Sequence, residues 1–334
     1  MADRPVTSVD VARLAGVSQS AVSRYFTPGA SVSARMAEKI REASDTLGYR
    51  PNVLARSLIT GRSRIVGLVV HYLENQFYPE VVEKLSVALQ AQGYHVLLFM
   101  AQRTVGDVGP VVQDILDYRV DAIVMVSVSV SSVLAERCAA LSIPVLLFNR
   151  DQPATGLRAV TSDNIEGGRL AAQVLLAGGA RRIGHLAGFE EAQTQIEREQ
   201  GFTEALAEAG QSISARAVGN YHYAQAAEAT RALMADRPDA IFAADDHMAF
   251  AALDVIRHEF RLRVPEDVAV VGFDDVPMAA WPSFDLTTIR QRRDLMVEGA
   301  VADLIAAIEG EEGDTPRKRR IPPELVERGT TRRA

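Results

Sequence analysis

The chain has 334 residues, 48% of them hydrophobic, which is enough for more than one packed core, and its formal net charge is −7. No stretch approaches the length of a membrane-spanning helix, and the opening MADRP lacks the features of a secretory signal, so the sequence points to the cytoplasm. One cysteine, Cys138, excludes an internal disulfide and suits a reducing compartment as a small core residue.

The six histidines show no metal-ligand spacing, and there is no phosphate loop or nucleophile elbow. No cofactor, metal or catalytic residue is expected. Charge is unevenly spread: residues 1–64 carry ten Lys or Arg against five Asp or Glu, a net +5, leaving −12 on the remaining 270. A basic head on an acidic body fits a nucleic-acid binder whose affinity resides at one end and falls with salt.

In chain order, TSVDVARLAGVSQSAVSRYF reads as a short helix, a turn and a second short helix. Thr7 or Ser8 can cap the first, whose Val9, Ala12 and Ala15 recur on one face. Gly16 supplies the turn, and Ser18 can cap the second helix, with Val22 inward and Gln19, Ser20 and Arg24 outward. A third helix begins after Ser33 and carries Met36, Ile40, Ala43 and Leu47 at helical spacing. Helix, tight turn, helix is the geometry that lays a second helix in the major groove. There Arg24 can donate twice to guanine and Gln19 can pair with adenine.

The residues SVDVARLAGVS, AVSR, LGYRPN and LARSLITGRSRIVGLVV resemble the LacI-type bacterial transcriptional regulators, with Ala21 standing where threonine is usual. The resemblance implies DNA contacts from Thr7, Ser18, Gln19, Ser20, Ser23 and Arg24. It also implies that residues 50–64 form a hinge helix, with Asn52 and Ala55 at the DNA and Leu58 wedged into the minor groove. An apolar wedge unstacks a base step and bends the duplex, and so short a helix is barely stable in water without such a partner. From the residues alone, a flexible linker remains the alternative.

From Ile65 the pattern changes. IVGLVV, HVLLFM, AIVMVS and PVLLFN read as buried strands separated by polar loops or helices, and RIGHLAG, RAVGN, AIFAAD and VAVVGFDD repeat the rhythm. Such alternation gives parallel sheets wound by right-handed crossovers. The expected architecture is therefore α/β: a three-helix head over residues 1–49, a linker over 50–64, and a sensor over 65–334 with two doubly wound parallel sheets. The sensor's two subdomains interleave, roughly 65–160 plus a later crossover segment, and 161–290 plus the C-terminal segment. The resemblance extends over the sensor and to periplasmic sugar-binding proteins.

In open α/β sheets, ligands bind beyond the carboxyl ends of the strands, so polar residues that follow apolar runs nominate a cleft. That rule nominates Asn149 and Arg150, Tyr221, Asp245, Asp274 and Gln291, while the resemblance implies Asn75, Phe77 and Tyr78, which are similar to the family's sugar-binding loop, and Arg198, in QIEREQGF, which resembles its R-x-x-G-F element. Aromatic walls with carboxylates, amides and guanidinium suit the apolar face and hydroxyls of a small sugar. Trp281 is expected to serve packing, and RKRR at residues 317–320 to form a solvated loop.

Taken together, the sequence implies a repressor whose hold on a palindromic duplex operator is set by a small polar effector. No leucine heptad follows VERGTTRRA, so a homodimer is expected rather than a tetramer. The alternatives are a transporter's solute receptor and a sugar-processing enzyme that uses Asp245, Asp246 and Asp274. Binding to operator DNA separates the regulator from both.

Overall fold

The computed structural model describes residues 6–27, 30–50, 62–71, 73–101, 109–128, 132–311 and 318–333. Two compact units emerge, Met1–Ser63 and Arg64–Ala334.

The first unit holds α1 (Ser8–Ala15), α2 (Gln19–Tyr25) and α3 (Ala34–Leu47). Gly16 ends α1 at φ 64°, a left-handed conformation that costs glycine little, and so allows the sharp turn into α2. Val11, Ala12, Ala15, Ala21, Val22, Ile40 and Ala43 make the small core, with Met36, Leu47 and Tyr49 packed against it. Val9 was expected on the inner face of α1 and is instead 45% exposed. Val11 takes that place, because the buried stripe runs 11, 12, 15 rather than 9, 12, 15.

The second unit has two lobes. In the first, the sheet order is β11-β5-β4-β3-β1-β2, all parallel, built from β1 (Ile65–Val70), β2 (His95–Met100), β3 (Ala122–Val126), β4 (Val145–Phe148), β5 (Arg158–Ser162) and β11 (Lys318–Ile321). Around it lie α4 (Phe77–Ala91), α5 (Gly109–Asp117) and α6 (Ser132–Ala140). The second lobe's order is β12-β10-β9-β8-β6-β7, using β6 (Ile183–Ala187), β7 (Ile213–Val218), β8 (Ala240–Ala243), β9 (Ala269–Asp274), β10 (Thr287–Arg290) and β12 (Glu324–Val326). Only β12 runs antiparallel in that sheet among the described residues. Its helices are α7 (Asn164–Ala177), α8 (Gln193–Glu208), α9 (Tyr223–Leu233) and α10 (Asp246–Asp254). The long α11 (Arg293–Glu309) packs back on the first lobe, against α4 and β5.

The expected α/β architecture is thus present, with apolar runs such as β1, β3 and β9 covered on both faces. The chain crosses between lobes three times: after β5, after β10 and after β11. Three expectations need correction. HVLLFM forms the edge strand β2, where Leu98 and Met100 are 46% and 49% exposed, so it is not a buried strand. The described part of RKRR is not a solvated loop but strand β11, since each cation finds an acid on a neighbouring element: Lys318 with Asp151, Arg319 with Asp303 and Arg320 with Glu197. Trp281, expected to pack, is half exposed beside a short 3-10 turn. Cys138 is buried.

Candidate effector cleft and DNA-reading face

In the head, the Ser18 hydroxyl accepts the Ala21 N–H at 3.2 Å and so caps α2. Gln19, Ser20, Ser23 and Arg24 all lie exposed on α2. Their polar groups rest on the chain itself: Gln19 donates to the Ser8 hydroxyl at 3.1 Å and Arg24 Nε to the Ser20 carbonyl at 3.4 Å. Exposed bonds of this kind exchange readily for base edges or phosphates. The Thr7 hydroxyl donates to Asp10 at 2.7 Å at the start of α1. Asn52, Ala55 and Leu58 lie outside the described residues.

In the second unit, the carboxyl ends of the strands bring groups from both lobes together. Asn75, just ahead of α4, accepts the Phe77 N–H through Oδ1 at 2.9 Å, which fixes its amide. That amide points across the cleft to Asp245 at 2.9 Å and Asp274 at 3.5 Å. Asp245 follows β8 and caps α10 by accepting the Met248 N–H at 2.8 Å. Asp274 ends β9 at φ 128°, an unusual backbone that aims the side chain inward, where Gln291 donates to it at 2.7 Å.

Arg198 reaches the same place from α8. Its guanidinium lies 3.6 Å from the centre of the Phe273 ring and 3.8 Å from the Asp274 carboxylate, while Nη1 donates to the Ala244 carbonyl at 2.5 Å. Close approach of α7 and α8 sets the height of Arg198, because a Cβ on Gly201 would meet the Ile165 carbonyl at 1.9 Å and one on Gly168 the Arg198 carbonyl at 2.0 Å. Tyr221 adopts φ 62° and lays its ring over Gly188, where a Cβ would stand 2.1 Å from the ring. On the first lobe, the Tyr78 hydroxyl donates to Ser127 at 2.9 Å, and Arg150 is buried close enough to feel Tyr78 and Tyr221.

Burial dominates the electrostatics. It pushes Asp245 well up, with Asp274 adding to the rise, and pushes Asp274 up against the opposing pull of Arg198. Asp246 is pushed up to about 7 by burial and by Asp274. Burial also raises the Tyr78 and Tyr221 phenols and lowers Arg150. Two buried acceptors, Asn149 Oδ1 and Gln291 Oε1, have no hydrogen-bond partner among the described residues. A pocket with idle acceptors and neighbouring carboxylates calls for a ligand that brings donors.

Phe77 stands apart from the other expected residues. Its ring is 1% exposed within the hydrophobic core and meets Tyr78 edge-on at 5.4 Å, so it braces the loop from behind. Asn149 is buried at the end of β4 at φ 56°. Two further groups belong to the cleft without having been nominated for it by the sequence. Ser127 directly follows an apolar strand, which was a usable signal. Arg293 donates to the Asp274 and Asp275 carbonyls at 2.9 Å each and lies 3.2 Å from Glu80, joining the lobes from a helix start that carries no motif. Asp246, which the enzyme alternative had used beside Asp245 and Asp274, also lies here. Its carboxylate accepts the Val276 N–H at 2.9 Å and the Thr288 hydroxyl, and fits because Gly272 has no side chain there.

Among the described residues, no group of three or more His, Cys, Asp or Glu could hold a metal, and no helix is long and apolar enough to cross a membrane. Residues 8–52 match the model of bacterial regulatory proteins of the lacI family, and residues 172–331 that of the periplasmic binding protein-like domain. The chain is 35% identical to the HTH-type transcriptional regulator CelR of Thermobifida fusca, covering 90% of this chain and 91% of that protein. It is 31% identical to the HTH-type transcriptional repressor PurR of Vibrio vulnificus, over 98% of this chain and 99% of that one. Among solved structures, a CelR–cellobiose complex matches with TM-score 0.72 and 32% identity, covering 98% of this chain and all (100%) of that one. The lac repressor dimer bound to operator and the anti-inducer ONPF matches with TM-score 0.88 and 27% identity, again covering 98% and 100%. These relatives are named as regulators and repressors of transcription, not as enzymes. A helix-turn-helix head, a two-lobed α/β body and relatives of this identity along nearly the whole length have one common origin: the chain belongs to the LacI family of bacterial transcriptional regulators.

Proposed function

We propose that this regulator is a cytoplasmic repressor that binds a sugar or sugar derivative between its lobes and thereby changes its hold on a palindromic operator. The observation that carries this reading is the convergence of Asn75, Asp245, Asp274, Arg198 and Gln291 from both lobes onto one buried polar cluster. Carboxylates and idle amide oxygens take hydroxyl donors, and the Tyr78 and Tyr221 rings offer faces to a pyranose. Such a site rejects analogues that leave its buried groups unpaired. The complex of CelR with cellobiose makes that disaccharide the first sugar to try.

The DNA half of the reading rests on α2, where Gln19 and Arg24 have base-edge chemistry and Ser18, Ser20, Ser23 and Thr7 phosphate chemistry. The hinge reading of Asn52, Ala55 and Leu58 rests on the sequence resemblance alone. A homodimer is supported by apolar surface left open on the first lobe. Leu98 and Met100 are exposed on β2, and a groove of about 900 Å³ between α4 and α11 is lined by Val87, Ala88, Val301 and Ile305. Two equivalent heads demand a two-fold target. Effector and operator would then bind with reciprocal coupling through movement of the lobes.

A thermal-shift panel of cellobiose, other di- and monosaccharides, polyols, sugar acids and nucleosides tests the effector class. One neutral hydroxyl-rich compound should raise the melting temperature of the Arg64–Ala334 unit by several degrees, on the order of 1 to 3 kcal/mol of added stability at saturating concentration. No shift from any sugar or sugar derivative in the panel would contradict the reading.

A further inference from the structure

Arg198 is held by more than the groups it faces in the cleft. Its Nε donates to Asn164 Oδ1 at 3.0 Å. Asn164 opens α7 directly after the first crossing between lobes, and its amide donates to Glu197 Oε2 at 3.2 Å and to the Ser162 carbonyl at 3.2 Å. Glu197, which is 5% exposed, presents its other oxygen to Arg320 Nη2 at 2.8 Å. Arg320 belongs to the first lobe's sheet, on β11, which pairs with β5 and leads into the third crossing. A continuous series of bonds therefore runs from the hinge strand through Glu197 and Asn164 to the guanidinium in the cleft.

Both ends of that series are charge-assisted and its middle is buried; Glu197 Oε1 also accepts from Gln193 Nε2 at 3.3 Å, so loss of Arg320 removes the charged partner and leaves a weaker amide contact in a region that water reaches poorly. Arg320 sits in one lobe and Glu197 in the other. Their contact bridges the lobes beside the third crossing, so a change in the lobes' relative orientation bears on it. We propose that Arg320, Glu197 and Asn164 are positioning residues that tie Arg198 to the hinge, so that movement of the lobes re-aims its guanidinium in the cleft. The meeting of that guanidinium with an effector rests on the function proposed above; the tie itself does not.

The test therefore uses no effector. In the full chain with 15N-labelled arginine, the Arg198 Nε–H resonance is assigned by its loss in Arg198→Lys. Arg320→Met and the near-isosteric Glu197→Gln should each shift that resonance and speed its exchange with water about tenfold or more, as local opening does. Arg320→Lys should restore most of the protection. Lys318→Met, on the same strand but paired with Asp151, should leave the signal in place. An unchanged Arg198 signal in both Arg320→Met and Glu197→Gln, or an equal change in Lys318→Met, would overturn the proposal.

Discussion

Replacing Asp274 by alanine is expected to abolish the effector response, weakening effector binding by about 100-fold or more, while operator binding without effector stays within a few-fold of the parent. Asp274 is the group on which the cleft converges: it accepts from Gln291 and Asn75 and faces Arg198. Its carboxylate is the strongest acceptor positioned for a ligand hydroxyl, and two lost charge-assisted bonds account for that magnitude. The cost to the fold is moderated from two directions. Gln291 and Arg198 lose a partner, but the repulsion that raises Asp245 and Asp246 is removed as well. Asp274→Asn serves as the conservative companion, because it keeps an acceptor for Gln291 and loses only charge. Calorimetric titration with the sugar that gives the largest thermal shift reads effector affinity, and fluorescence anisotropy on operator reads the head. A normal response in both variants would remove Asp274 from the pocket.

The second large effect concerns stability. The Asp246 carboxyl has its pKa raised from 3.8 to about 7, so between those values the folded protein holds a proton that the unfolded chain has released. The sign follows: Asp246 favours folding fully below about pH 4, and that advantage disappears as pH rises through about 7. His185 acts in the opposite sense. Its pKa is lowered from 6.5 to about 4 by burial, so its effect on stability grows with pH over much of the same range and masks the slope in the parent. The comparison with Asp246→Asn isolates the carboxyl. Relative to the parent, this variant should gain on the order of 2 to 4 kcal/mol between pH 4 and pH 8, measured by urea unfolding. A difference independent of pH would mean that Asp246 is ionised throughout and held by the Val276 N–H and Thr288 hydroxyl alone.

Much of the second unit could be read from its apolar runs, because parallel strands covered on both faces leave continuous hydrophobic stretches. The strands that join the lobes could not. RAVTS, TTIR, KRRI and ELV are short and polar, and they become strands because a neighbouring strand pairs with them; TTIR and KRRI also meet buried acids, Asp246 and Asp275 for the first and Asp303 and Glu197 for the second. That is why the basic run around Lys318–Arg320 looked like a loop. It is also why cleft residues such as Asn149, Asp245 and Asp274 were legible as strand-end polar groups, whereas Arg293 and Glu197 were not, since their partners Glu80 and Arg320 lie more than a hundred residues away, and Asn164 was not, since its partners sit on another helix. In the head, glycine and the caps fixed the helix ends, while the burial of Val11 rather than Val9 depended on which side of α1 packs against α2 and α3. Phe77 shows the limit of motif reasoning, since it opens α4 beside Asn75 but turns its ring into the core.

Filling the cleft is expected to alter how the head holds DNA, and the function proposed for this regulator depends on that coupling. The most direct measurement is anisotropy of the full chain on labelled duplexes from upstream of its own gene, at low and moderate salt, with and without each sugar of the panel. The expected result is specific binding that weakens steeply with salt and changes at least about tenfold with one hydroxyl-rich compound. Failure to bind any of these duplexes at low salt, or tight binding that no compound in the panel alters, would contradict it.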